Sequence, residues 1–281
     1  MRRLLLAVVV IPMTWSASGA TLQTLPATAV DAAAIARIPA WQGRSATVLS
    51  HLDLSAPFKT RSQWTLVVLD DPHQAASGSS PVAVCFVHGR AAQCSEAKLS
   101  FGDPQFYWWR LDADRIVYAG SHRSRPLLWL KTFSGESVDG NGSIEATLYR
   151  YARRADRFER VFRYDTQGSN NNQDAVFVGH GPIAGDVITD YPTEDAPYTY
   201  WIEVYAPGRK GKYARVLRYR GHTGYADGNP LPVADSEMPE VLRRLGHWRP
   251  GDALPAGEAL PVRPRIACTV PVLRHEEEWC R

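Results

Sequence analysis

Between residues 61 and 235 the chain is written mostly in short runs in which apolar and polar positions alternate. That is the period of a half-buried strand, not of a helix. Such runs fall at Trp64–Asp70, Cys85–Cys94, Phe106–Leu111, Arg115–Ala119, Leu127–Phe133, Phe158–Tyr164, Ala175–Val178, Asp186–Thr189, Tyr198–Tyr205 and Tyr213–Tyr219. The pattern repeats. Phe158-Glu-Arg-Val-Phe-Arg-Tyr164 matches Tyr213-Ala-Arg-Val-Leu-Arg-Tyr219, 55 residues later, and a partner segment precedes each, ending in Tyr151-Ala152 and Tyr205-Ala206. Both read as hairpins, the second loop longer by one residue. Strict alternation would place Phe158, Arg160, Phe162 and Tyr164 on one strand face and Glu159, Val161 and Arg163 on the other. Neither face is purely apolar, as expected of a sheet covered on both sides. A fainter third copy is suggested by Trp64, Trp129 and Trp201, spaced by 65 and 72 residues.

The sharpest local expectation is a hairpin about Gly89-Arg90. Gly first in a two-residue loop favours a type II′ turn. The turn would pair His88 with Ala91, Val87 with Ala92, Phe86 with Gln93 and Cys85 with Cys94. The cysteines then occupy a non-hydrogen-bonded site, where Cα atoms lie roughly 4.5 Å apart, within disulfide range.

Helix is scarce. Asp31–Ile38 is one short candidate. Ser236–Gly246 is the better one, with Ser236 as cap, Pro239 in the first turn, Gly246 as terminator and Val241, Leu242 and Leu245 as the buried stripe. The expected class is therefore all-β: a repeated antiparallel β-meander, propeller-like, with one short C-terminal helix, and a β-sandwich as the alternative. The expected divisions are a signal peptide at 1–20, an N-terminal segment at 21–60, the meander domain at 61–235, and the helix with a Pro-rich tail at 236–281.

Composition changes this picture mainly at the ends. Met1-Arg2-Arg3, the apolar run to Pro12 and the small residues Ala17-Ser18-Gly19-Ala20 have the layout of a signal peptide. The apolar run is shorter than the roughly 20 residues a spanning helix needs. Its removal takes two arginines and no acidic residue, leaving 30 basic against 29 acidic side chains. A nucleic-acid partner argued from net charge therefore has no support. The four cysteines group by position as Cys85 with Cys94 and Cys268 with Cys280. The expected location is periplasmic or secreted, where disulfides persist.

Candidate chemistry is sparse. No G-x-S-x-G, H-E-x-x-H, Walker A loop or strand-linked G-x-G-x-x-G occurs, and no catalytic residue is assigned. His180 and His222 each follow a Gly and read as loop residues at equivalent positions of the repeat. Asp139 and Asn141 place oxygens at alternate positions, as calcium loops do, but Arg150 stands where an EF-hand needs Glu. A hairpin turn is the preferred reading of that segment, and calcium is the only cofactor it raises. The clearest surface candidates are Arg153, Arg154 and Arg157 in one hairpin and Arg209, Lys210 and Tyr213 in the other. Arg and aromatic residues dominate protein interface hot spots. The competing reading pairs these arginines with Asp156, Glu159 and Asp165 along the strands.

The Trp- and Tyr-bearing β-units, the leader and the Asp-Gly-Asn turns resemble divergent blades of FG-GAP/VCBS-type propellers. They are also similar to propeller-like periplasmic immunity proteins that inhibit secreted peptidoglycan hydrolases. The resemblance covers at most residues 60–230. It implies an exported protein that binds an envelope or secreted protein, and it transfers no functional residue. Two other readings compete: a hydrolase or lyase of cell-wall or extracellular glycan working through paired carboxylates, and a structural envelope component.

Overall fold

The computed structural model describes residues 47–70, 82–89, 91–96, 107–119, 125–136, 142–166, 173–194, 196, 198–208, 211–224, 232–250, 271–274 and 277–280. The described chain is all-β apart from two helices. Its strands fall in sequence order into three four-stranded antiparallel meanders. The first sheet holds β1 (Thr47–Asp53), β2 (Thr65–Asp70), β3 (Val82–His88) and β4 (Ala91–Glu96), with the one-turn helix α1 (Ser55–Phe58) between β1 and β2. The second holds β5 (Tyr107–Ala119), β6 (Arg125–Glu136), β7 (Gly142–Ala152) and β8 (Arg157–Asp165). The third holds β9 (Asp174–Phe177), β10 (Val187–Pro192), β11 (Tyr200–Pro207) and β12 (Tyr213–Arg220). Helix α2 (Val233–Arg244) follows, and β13 (Pro271–Arg274) pairs with β14 (Glu277–Cys280).

The sheets stack face to face, and β6 shows why. Its run Leu127-Leu128-Trp129-Leu130 is apolar at every position because both faces are covered. Leu127, Trp129 and Phe133 point into a core shared with Phe177 and Val187 of the third sheet. Leu128 and Leu130 point the other way, into a core with Leu66, Val68 and Phe86 of the first sheet. The far face of the third sheet packs Ile188, Ile202 and Val204 against Met238, Val241 and Leu242 of α2. Full burial of one such side chain contributes about 1.5–3 kcal/mol. The order is sheet, sheet, sheet, helix. A two-layer sandwich has no place for the middle sheet.

The Gly89 hairpin has the register read from the sequence, from His88↔Ala91 to Cys85↔Cys94. Gly89 sits at φ +56°, the left-handed value that a primed turn requires. Cys85 and Cys94 are disulfide-bonded with Cα atoms 4.1 Å apart.

Three expectations are corrected. The first concerns alternation in the repeated strands. A bulge moves the register from Tyr149↔Arg160 to Leu148↔Phe162, so the face changes at Val161. Phe158 consequently packs toward the first sheet and Phe162 toward the third. The repeat has the same bulge at Val216, between Tyr205↔Arg215 and Val204↔Leu217. These registers make Tyr149 the counterpart of Tyr205, two residues away from the equivalence suggested by the Tyr-Ala pairs. The second concerns the tryptophans: Trp64 precedes β2, Trp129 lies in β6, and Trp201 lies in β11, a third strand rather than a second. The third copy is present as the first four-stranded sheet, but Trp201 is one strand out of phase with Trp64 and Trp129.

The third concerns the second helix, which begins at Val233, three residues before Ser236. Ser236 lies within the first turns, where its hydroxyl donates back to the Pro232 carbonyl at 3.1 Å, the N-cap is Pro232, and Pro239 lies inside the helix. The helix ends as expected. Gly246 at φ +77° lets His247 N–H reach the Leu242 carbonyl at 2.8 Å. The Asp31–Ile38 helix and the signal segment lie outside the described residues.

Candidate functional site: a basic end of the sheet stack

The hairpin turns on which the sequence places its arginines come together at one end of the stack. The β7–β8 turn, residues 153–156, closes with Ala155 N–H on the Ala152 carbonyl at 3.0 Å. Arg153 and Arg154 are exposed on it. Neither forms an ion pair with a described residue. Asp156, which ends the turn, adopts φ +45° and points inward. It accepts from Ser62 Oγ at 2.6 Å, Trp64 Nε1 at 3.1 Å and Tyr151 Oη at 2.5 Å. Tyr151 Oη in turn accepts from the Arg61 backbone N–H at 2.9 Å. These bonds, the Ser62 hydroxyl first, hold the Asp156 carboxyl down at about 2.

This knot joins the segment before β2 to the β7–β8 turn, and so brings two further cations to the same end. Lys59, exposed at φ +48°, terminates α1, and Arg61 is exposed two residues later. The third sheet adjoins through its β11–β12 turn. There Gly211, at φ +71°, lies so close to Arg150 that a Cβ would come within 2.7 Å of the guanidinium. Lys212 is exposed on this turn. The end therefore presents cations from all three sheets. Phe158 lies beneath it with ring centroids 5.0 Å from Phe58, 5.6 Å from Trp64 and 5.0 Å from Phe86. The aromatic rings serve packing, and the surface itself is charge.

The strand arginines divide from the turn arginines. Arg157 and Arg150 share Glu159 at 3.0 and 3.1 Å, and Arg163 pairs with Asp165 at 2.9 Å. Glu203, only 4% exposed, holds Arg215 at 2.7 Å and Arg218 at 3.3 Å. Strand-face pairing thus accounts for Arg157 and for these strand residues, but not for Arg153 and Arg154. Tyr213 turns inward, donating to the Gly185 carbonyl at 2.6 Å and packing on Phe162 at 5.7 Å. Arg209, Lys210, Asp139, Asn141 and Cys268 lie outside the described residues. Cys280 lies in β14 opposite Pro271.

Two other carboxylates are buried, Glu237 and Asp190. Glu237, 1% exposed, accepts at Oε1 from His222 N–H (2.8 Å), Thr223 N–H (2.7 Å) and Thr223 Oγ1 (2.6 Å), and at Oε2 from Tyr219 Oη (3.1 Å). The Gly-His-Thr-Gly run is thus the seat that anchors α2. His180 follows β9, the first strand of its sheet, whereas His222 follows β12, the last, so the two are not equivalent positions of a repeat. Asp190, fully buried, accepts from Asp174 N–H at 2.9 Å. Burial, reinforced by the Asp174 charge, raises its carboxyl well above the usual range. Among the described residues no three His, Cys, Asp or Glu side chains gather as a metal set. No helix among them is long and apolar enough to cross a membrane.

Sequence reasoning missed Lys59 and Arg61. Their only local signal is a Lys-x-Arg spacing, and the contact that recruits them spans more than ninety residues. No protein-family model, curated protein or solved structure matches this chain.

Proposed function

We propose that the chain is an exported, disulfide-stapled β-repeat protein that binds another envelope or secreted protein, as an immunity-type inhibitor of a cell-envelope enzyme. The carrying observation is the β7–β8 turn. Arg153 and Arg154 stand exposed on a backbone fixed by Asp156, while the neighbouring strand residues Arg150 and Arg157 are already paired with Glu159. An arginine without a carboxylate partner of its own, held on a rigid support, is a group ready to accept one from elsewhere. The stacked sheets and the Cys85–Cys94 staple keep that support from rearranging, and an inhibitor that must resist its target needs such rigidity.

The test uses residues 21–281, oxidised, as bait in envelope extract and culture fluid of the source organism. A stoichiometric partner should be recovered from wild type and lost with R153E/R154E, and its enzymatic activity should fall on adding the protein. Capture that survives the double reversal would remove this surface from the reading.

A further inference from the structure

We infer that the basic end is one composite site that takes a carboxylate-rich loop of the partner protein, and that Asp156 is the positioning residue that makes it one site. The inference rests on the protein-binding reading above and specifies its partner chemistry. Three observations lead to it.

The first is the composition of the surface. Its exposed cations outside the strand-face pairs are Lys59, Arg61, Arg153, Arg154 and Lys212, drawn from all three sheets. The planar guanidinium matches a carboxylate through two parallel hydrogen bonds, which a diffuse cation does not.

The second is what the surface lacks. Trp64 and Phe158 are buried beneath it, and Tyr151 is engaged with Asp156 and Arg61. Single-stranded nucleic acid needs stacking platforms, and the half-exposed rings here, Tyr151 and His88, are already packed on Phe158 and Trp64. The chain as a whole is nearly neutral once residues 1–20 are removed. An anionic bilayer responds to a broad field that falls off over roughly a Debye length. A local cluster on a neutral body suits a local acidic segment.

The third is the wiring. Asp156 is the acceptor for Ser62 and Trp64 on one side and Tyr151 on the other. It therefore fixes Arg61 and Lys59 relative to Arg153 and Arg154. Its charge is the only acidic one inside the knot, which gives the test an unusual sign. If charge alone governs binding, D156A should tighten it by removing a negative group. If position governs, D156A should weaken it.

The experiment measures binding of a fluorescein-labelled octaglutamate peptide by anisotropy at 50 and 300 mM NaCl. It uses oxidised 21–281 as wild type, K59E/R61E, R153E/R154E, D156A, D156N, and R115E as an exposed control on β5. Far-UV circular dichroism confirms folding of each. The site predicts that either double reversal weakens binding at least tenfold and that R115E stays within twofold. D156A should weaken binding at least threefold. D156N, which is equally neutral but keeps an acceptor, should bind at least as tightly as wild type. High salt should weaken wild-type binding about tenfold.

Peptide binding that is absent, or unchanged by either reversed pair, overturns the composite site. Tighter binding by D156A overturns the positioning role. Binding to phosphatidylglycerol vesicles stronger than to the peptide assigns the face to lipid and overturns the protein-carboxylate assignment. The two levels separate cleanly. Partner capture lost with R153E/R154E but indifferent to K59E/R61E keeps the protein-binding reading and overturns the composite site. Peptide binding that needs both pairs, without any protein partner, does the reverse.

Discussion

Replacing Glu237 with Ala should cost about 3–5 kcal/mol of stability, one of the larger single losses this fold can suffer. The side chain is 1% exposed and accepts four hydrogen bonds. Two of the stranded donors, Thr223 N–H and Tyr219 O–H, belong to residues that are 3% and 5% exposed. Each buried donor left unsatisfied costs roughly 1–3 kcal/mol. His222 is exposed, so water can replace the bond to its N–H and little is lost there. Truncation also leaves a void beside Gly221 and Ile202, which the Glu237 side chain fills at present. Glu237→Gln is the informative companion. Its carbonyl oxygen can keep the three donors now on Oε1, and its amide can donate to Tyr219 Oη. That variant should lose about 1–2 kcal/mol, the difference between charged and neutral acceptors. Urea unfolding followed by far-UV circular dichroism reads both, and the midpoint should move with little change in slope. A loss under 1 kcal/mol for Glu237→Ala, or equal losses for the two variants, would refute the view that this carboxylate anchors α2 to the third sheet.

Other outcomes follow from the same contacts. Phe158→Ala should cost about 3–5 kcal/mol, because the ring joins the first and second sheets through Phe58, Trp64 and Phe86; chemical denaturation checks this. Burial raises the Asp186 carboxyl to about 6. Against an unfolded value near 3.9, its contribution to stability is fully present below about pH 4 and is lost as pH rises to about 6. Asp186→Asn should therefore flatten that part of the stability–pH curve, as thermal melts at pH 4, 5, 6 and 7 would read. Reduction of Cys85–Cys94, nine residues apart, should cost about 2–3 kcal/mol by the loop-entropy relation. Melts of oxidised protein and of a C85A/C94A variant measure it.

What the sequence discloses and what it hides divide along the range of the interactions. The Gly89 hairpin was legible to the residue, because a two-residue loop with Gly first sets the register by local geometry alone. The end of α2 at Gly246 was legible for the same reason. Its start was not: nothing local places Pro232 ahead of Val233, and Ser236 imitates a cap. The repeat was visible as Arg-Val-x-Arg-Tyr, yet the bulge at its valine was not, since alternation has no symbol for an extra residue. That one residue sends Phe158 and Phe162 to opposite cores. The basic end was half legible. Arg153 and Arg154 announce themselves in a polar turn, whereas Lys59 and Arg61 join them only through Asp156, a contact between distant segments that no periodicity records.

The most direct test of the account is quantitative capture with oxidised 21–281, wild type against R153E/R154E, from envelope and culture fluid, followed by amide exchange on the recovered complex. The account predicts one stoichiometric protein whose recovery falls more than tenfold in the variant, with protection among the described residues confined to 59–62, 153–157 and 211–212. Equal recovery by the two baits, or protection elsewhere on the stack, would contradict it.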